Sequence, residues 1–186
     1  MGRRHLARKA CRVVMKWIAR ALYGPRAAHL PPDRVLMLAF FQKILGVNCH
    51  VPWIVHFSSQ VLHHENMDVP LDVNPGYSPG CYIQAINGIR IGTGVRIGPN
   101  VALISANHDL SDYRKHTKAP PMEIGSGVWI GANSVILPGV RIGARTVVGA
   151  GSVVAKELPS DCVAVGNPCR PVRYLTSAER VAKPDC

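Results

Sequence analysis

The chain has 186 residues, enough for one ordinary domain with a sizeable core, and no break in composition demands a second. Its 22 lysines and arginines against 11 acidic residues leave a formal charge of +11, which calls for an anionic partner or handle: nucleic acid, phospholipid or the phosphates of a cofactor. Six scattered cysteines (Cys11, Cys49, Cys81, Cys162, Cys169 and Cys186) form no CxxC pair, which excludes a zinc ribbon or thiol redox motif, and no stretch approaches the roughly 20 uncharged apolar residues of a membrane span.

Residues 1–23 carry Arg3, Arg4, Arg8, Lys9, Arg12, Lys16 and Arg20 among Val13, Val14, Trp17, Ile18 and Leu22. The apolar positions 14, 17, 18, 21 and 22 recur at helical spacing, which predicts a basic amphipathic helix. Such a helix either packs on the main domain or on a neighbouring subunit with its cations in water, or lies on a membrane surface. The charges in this segment and the lack of a small-residue cleavage site after it argue against an export signal, so the cysteines are expected to be reduced and the protein cytoplasmic. Pro31, Pro32 and Asp33 then mark a break and a helix N-terminus, leading into an apolar segment from Val35 to Leu45 that ends at Gly46 and should be buried or rest against lipid. The helical extension is assigned to residues 1–48.

From about residue 50 the helical period gives way to a different one. Ile91, Ile97 and Leu103 stand six apart, and so do Ile124, Ile130, Ile136, Ile142, Val148 and Val154. A small residue follows most of them, among these Gly92, Gly98, Gly125, Gly131, Gly143, Gly149 and Ala155, and the fifth position of each hexad is small or β-branched, as at Val95, Val101, Val128, Ser134, Val140, Thr146 and Ser152. A six-residue period with a branched aliphatic turned inward and minimal bulk beside it suits short strands joined by tight corners. Three strands make an 18-residue coil, and several coils must stack before the aliphatic column is buried. The register gives coils at 91–108, 124–141 and 142–159, with less regular hexads at 73–90 below them and the stack beginning within Val51–Leu71. An insertion of 15 residues, Asp109–Glu123, breaks the period at a corner, where a loop can leave the stack without disturbing its neighbours. After Pro159 the expectation is an extended stretch and a short terminal helix, so the repeat domain is assigned to 49–175 and the tail to 176–186.

The segments IGTGVRIGPNVALISANHD, IGSGVWIGANSVILPGVRIGARTVVGAGSVVAKELP and GNPCRPVR resemble the hexapeptide-repeat acyltransferases, in particular the sugar O-acetyltransferase branch that includes the galactoside, maltose and nodulation-factor enzymes. The likeness covers roughly residues 80–175. It implies an all-β left-handed parallel β-helix, a homotrimer with active sites in the clefts between subunits, acetyl-CoA as acyl donor and no metal. The handedness comes from the resemblance alone, because parallel crossovers are otherwise right-handed.

His108 stands at the last position of its hexad, where the insertion begins. The resemblance makes it the general base that takes the proton from an acceptor hydroxyl, a task suited to imidazole. The related sugar enzymes place an Asn in a C-aromatic-I-N context as oxyanion donor; here CYIQ puts Gln84 there, with Asn87 as competitor, although Asn87 in an NG pair also reads as a turn residue. Asn87, Asn107, Asp109 and Tyr113 are the candidates for acceptor contact. Along the cofactor groove the matches are Trp129, Ala132, Ala150, Ala155 and Lys156, the last two where the family often has Thr-Lys. Arg170 and Arg173 would meet the nucleotide phosphates, because the guanidinium fork pairs with phosphate. His50, His56, His63 and His64 invite a metal reading, but nothing in their spacing supplies three converging imidazoles.

The resemblance implies transfer of an acetyl group from acetyl-CoA to a hydroxyl of a sugar or glycoconjugate. Serine or an amino sugar as acceptor is the near alternative, and a non-catalytic basic trimeric scaffold at an anionic membrane is the alternative from another class. No nucleic-acid module is present, since the cations crowd the first helix rather than line an aromatic-studded face.

Overall fold

The computed structural model describes residues 3–181, with side chains from 9 to 179. The side chains of Arg3, Arg4 and Arg8, and residues 182–186 with Cys186, lie outside the described residues. Two helices open the chain: α1 (Arg3–Tyr23) and α2 (Pro32–Ala39), the latter started by Pro32, whose missing N–H costs nothing at a first helical turn. A π-helical turn over Phe40–Ile44 continues α2, marked by the bond from Leu45 N to Phe40 O (3.1 Å).

The wider turn accompanies an inward-facing Gln42, which is fully buried. Its Oε1 accepts the Tyr23 hydroxyl (2.8 Å), and its Nε2 lies 2.9–3.1 Å from the carbonyl oxygens of Asn48, Val51 and Trp53. One carboxamide thus ties both helices to the segment that enters the repeats. Val35, Leu38 and Ala39 are buried as the apolar pattern predicts, but Met37, Phe40, Ile44 and Leu45 are exposed. The segment therefore buries only one side.

Strands then follow in short pieces: β1 (Gln60–Leu62), β2 (Met67–Asp68), β3 (Tyr82–Gln84), β4 (Ile89–Ile91), β5 (Arg96–Ile97), β6 (Ala102–Ile104), a pair β7 (His108–Asp109) and β8 (Asp112–His116), then β9 (Met122–Ile124), β10 (Trp129–Ile130), β11 (Val135–Ile136), β12 (Arg141–Ile142), β13 (Val147–Val148), β14 (Val153–Val154), β15 (Cys162–Gly166) and β16 (Cys169–Tyr174). They form three sheets, ordered β1-β3-β6-β11-β14, β16-β15-β13-β10-β5 and β12-β9-β4-β2, with every pairing parallel except β15–β16. From β4 to β14, apart from β7 and β8, the chain visits the three sheets in rotation, so each circuit is one coil. Partners such as Trp129 and Val147, Val135 and Val153, or Glu123 and Arg141 differ by one 18-residue circuit.

The expected hexads are the inward ladders. Val61, Ile83, Leu103, Ile136 and Val154 stack in one sheet, Ile97, Ile130, Val148 and Ala164 in the second, and Ile91, Ile124 and Ile142 in the third. The fifth position also points inward. Ser134 and Ser152 donate to the Gly149 carbonyl (3.1 and 2.6 Å) and Thr146 to that of Pro159 (2.6 Å), so these buried hydroxyls are satisfied. The glycine beside each aliphatic has a steric cause: a Cβ on Gly131 would lie 2.6 Å from Ala150 N, on the backbone of the next coil. Ala155 holds the same position of its hexad yet is exposed, because β14 is the last strand of its sheet.

A further period, at the fourth position, is the left-handed corner: Gly94, Asn100, Gly127, Asn133, Gly139, Arg145 and Gly151 all have φ between 55° and 70°. Arg145 is the exception in residue type. A two-pronged ion pair with Asp161, one coil on, holds its side chain in place.

Outward positions differ among the faces. On the sheet containing β3 and β6, the register Tyr82–Ala102–Val135–Val153 is uninterruptedly apolar. On the sheet containing β4 and β9, Glu123 bridges Arg90 (3.2 Å) and Arg141 (2.9 Å).

Two departures from the sequence reading concern loops. The insertion is expected as a loop over Asp109–Glu123, but β7 and β8 make it an antiparallel hairpin that already includes His108, while Met122 and Glu123 belong to the coil strand β9, in register with Ile89 and Arg90. The stretch after Pro159 folds back as the hairpin β15–β16 around the turn signal Gly166-Asn167-Pro168, and α3 (Ser177–Val181) follows it.

Candidate active site

His108 is placed by a set of backbone clamps. The carboxamide of Gln84, at the end of β3, grips the peptide unit beyond β6: its Oε1 accepts Ala106 N–H (3.0 Å) and its Nε2 donates to Ala106 O (3.2 Å). Asn87 straps the two sides of the hairpin's base together, its Nδ2 donating to the carbonyls of Ser105 and Thr117, both at 2.9 Å. Its own N–H donates to the buried Ser105 hydroxyl (2.9 Å), and Thr117 N–H donates to Asn107 O (2.9 Å). The foot of the hairpin is therefore fixed on both sides.

The imidazole is exposed, and its Nδ1 lies 2.6 Å from the carbonyl oxygen of Tyr113. A carbonyl only accepts, so Nδ1 carries a proton, and the tautomer this selects has its lone pair at Nε2. The His116 ring, opposite in the β7–β8 register, lies 4.6 Å away between centroids. Farther out, Asp109 accepts from Ser111 N–H (2.8 Å) and hydroxyl (2.6 Å), bonds that hold its carboxyl below the usual range and close the tip. Leu110 and Tyr113 are left 88% and 70% exposed, with no wall of their own chain behind them.

The predicted acceptor-side residues Gln84, Asn87, Asn107, His108, Asp109 and Tyr113 are thus brought together at one corner. Ala155 and Lys156, following β14, lie along the same edge of that five-stranded sheet, two coils farther on. Ala132 and Ala150, following β10 and β13, lie along the opposite edge. Trp129 stands outward on β10, 56% exposed, between Arg96 and Val147 in register. Arg170 and Arg173 are both on β16. Arg173 is engaged: it donates to both carboxylate oxygens of Glu179 on α3 (2.8 and 3.0 Å), which raises its pKa and pulls that of Glu179 down to about 2. Of these cofactor candidates only Ala155 and Lys156 share the sheet edge beyond which His108 stands.

Three features of the site escape sequence reasoning. Ser105 and Thr117 anchor the hairpin, and the only signal for them is that Ser105 shortly precedes the break in period and Thr117 lies within it. The Tyr113 contribution is a main-chain carbonyl, which residue identity does not announce. Among the described residues no group of three or more histidine, cysteine or acidic side chains is arranged to hold a metal ion, and the five described cysteines are free.

Residues 121–156 match the family described as bacterial transferase hexapeptide (six repeats). A galactoside O-acetyltransferase of Lactococcus lactis is 42% identical over 160 residues, covering 80% of this chain and 71% of that protein. The Escherichia coli galactoside O-acetyltransferase is 42% identical over 95 residues, 50% of this chain and 47% of that one. Among solved structures, a galactoside acetyltransferase in complex with coenzyme A superposes with a TM-score of 0.50 at 37% identity, over 56% of this chain and 55% of that chain. The chain belongs to the hexapeptide-repeat acetyltransferase family. It spans about half the length of several curated relatives it matches, among them a putative acetyltransferase of Schizosaccharomyces pombe at 47%.

Proposed function

We propose that this protein transfers an acetyl group from acetyl-CoA to a hydroxyl of a sugar or glycoconjugate, with His108 as general base. The observation that carries the reading is the bond from His108 Nδ1 to the Tyr113 carbonyl, which leaves Nε2 as the proton acceptor at the foot of a projecting hairpin. Two relatives named for galactoside O-acetylation and a neighbour binding coenzyme A support donor and acceptor class. In this mechanism Nε2 takes the acceptor proton as its oxygen attacks the thioester carbonyl, and the imidazolium returns that proton to the departing thiolate. The negative oxygen between these steps needs a donor; Gln84 has one amide N–H beyond that given to Ala106, whereas Asn87 gives its amide donors to Ser105 and Thr117.

The reading includes a left-handed coil over 49–175, flanked by the extension 1–48 and the tail 176–186, and a homotrimer. The apolar outward register Tyr82–Ala102–Val135–Val153 supports association, and a neighbouring subunit set there would give the hairpin the wall it lacks. Trp129, Ala132, Ala150, Ala155 and Lys156 would then line the groove for the pantetheine arm, with Arg170 and Arg173 at the phosphates and Asn107, Asp109 and Tyr113 toward the acceptor. Acetyl-CoA as donor places the reaction in the cytoplasm. The test is thiol release from acetyl-CoA with a panel of glycosides: His108→Ala should lower kcat by about 10²–10⁴-fold with the fold intact. An unchanged rate would remove His108 from the chemistry.

A further inference from the structure

The chemistry of the repeats makes no use of α1, yet that helix has an organised surface. It packs inward through Ala19 and Tyr23, with Met15 half-buried on the same side. The rest of the circumference leaves Val13, Val14, Trp17, Ile18 and Leu22 exposed, Trp17 by 73%. On a helical projection these form a continuous apolar face, and Lys9, Lys16 and Arg20 run along one margin of it. Val13, Lys16, Trp17 and Arg20 also line a shallow, mostly apolar notch of about 320 Å³.

No acidic residue precedes Asp33, so the end of the chain that carries this face is purely cationic. That charge pattern decides among occupants. A second copy laid face to face would double the cations along the seam with no carboxylate of this segment to relieve them, and a nucleic acid would leave the aliphatic face in water. An anionic bilayer surface satisfies both halves, taking the apolar side chains among its acyl chains and the cations at its phosphates. The helix is not long and apolar enough to cross a membrane, so the contact is peripheral.

We infer that α1 docks the protein on anionic lipid, lying in the plane of the interface with Trp17 and Ile18 inserted. The docking places the repeats beside the bilayer surface and is independent of the reaction assigned to His108. Co-sedimentation of the full chain with vesicles tests it. Binding should be at least tenfold stronger to phosphatidylcholine vesicles containing a quarter phosphatidylglycerol than to phosphatidylcholine alone, and should weaken as salt rises from about 0.05 to about 0.5 M.

Two variants separate the components. Lys9→Gln/Lys16→Gln/Arg20→Gln should lower the partition coefficient roughly a hundredfold, at about fivefold per charge, and Trp17→Ser/Ile18→Ser should lower it at least tenfold. Both should keep wild-type molar mass in solution and wild-type thiol release from acetyl-CoA. Failure to bind anionic vesicles, or equal binding to both compositions, overturns the inference. So does a fall in molar mass in the Trp17→Ser/Ile18→Ser variant, which would mean that another subunit covers this face.

Discussion

Gly131→Ala is the sharpest test of the coil packing. The backbone at Gly131 is one that any residue accepts, so the substitution adds only one methyl group. That methyl would stand 2.6 Å from Ala150 N and 2.9 Å from Ala150 Cα, atoms of the main chain that cannot rotate away. Ordinary contact needs about 3.5 Å, so the two coils must part by roughly 0.9 Å at this corner. The corner is held by Gly131 N–H to Val148 O and Gly151 N–H to Ala132 O, both 2.8 Å, and adding that displacement takes both beyond hydrogen-bonding distance. Two ladder bonds and the disturbed packing come to about 2–4 kcal/mol, or a fall of roughly 5–15 °C in Tm for a chain of this size. Thermal melts followed by circular dichroism at fixed protein concentration give the number. Ala155→Val is the paired control, at the equivalent position with no coil above it, and should stay within about 0.5 kcal/mol of wild type. An unshifted Tm for Gly131→Ala, or an equal loss in both variants, would refute the account of why these positions are small.

Burial pushes the Tyr23 phenol from 10.0 to about 12, so the folded chain keeps a proton that the unfolded chain releases near 10; the contribution of this group to stability is fully present below about 10, falls through the interval and is gone above about 12. The loss of roughly 3 kcal/mol should show as release of the N-terminal helices in alkaline denaturation, and Tyr23→Phe should flatten the slope in that window. If Arg173 meets the cofactor phosphates, Glu179 competes for it, and Glu179→Gln should lower the KM for acetyl-CoA severalfold at unchanged kcat; a KM that rises or stays put would take Arg173 out of the phosphate site.

What the sequence determined by itself was the column, because its cause is local and periodic. Each aliphatic at Ile124, Ile130, Ile136 or Ile142 needs only its equivalent one circuit away, so the spacing alone gives the ladders and shows that the period is broken between Leu103 and Ile124. The basic helix was legible for the same reason. Tertiary structure alone decided which proton His108 carries, since the Tyr113 carbonyl that settles it is presented by the return strand of a hairpin. It alone turned Asn87 into a strap and engaged Arg173 with Glu179, pairings made through space by side chains whose identity leaves their partners open. It also chose which side of α1 packs inward, because a helix apolar over much of its circumference does not say from its pattern which face meets the body and which meets the surroundings.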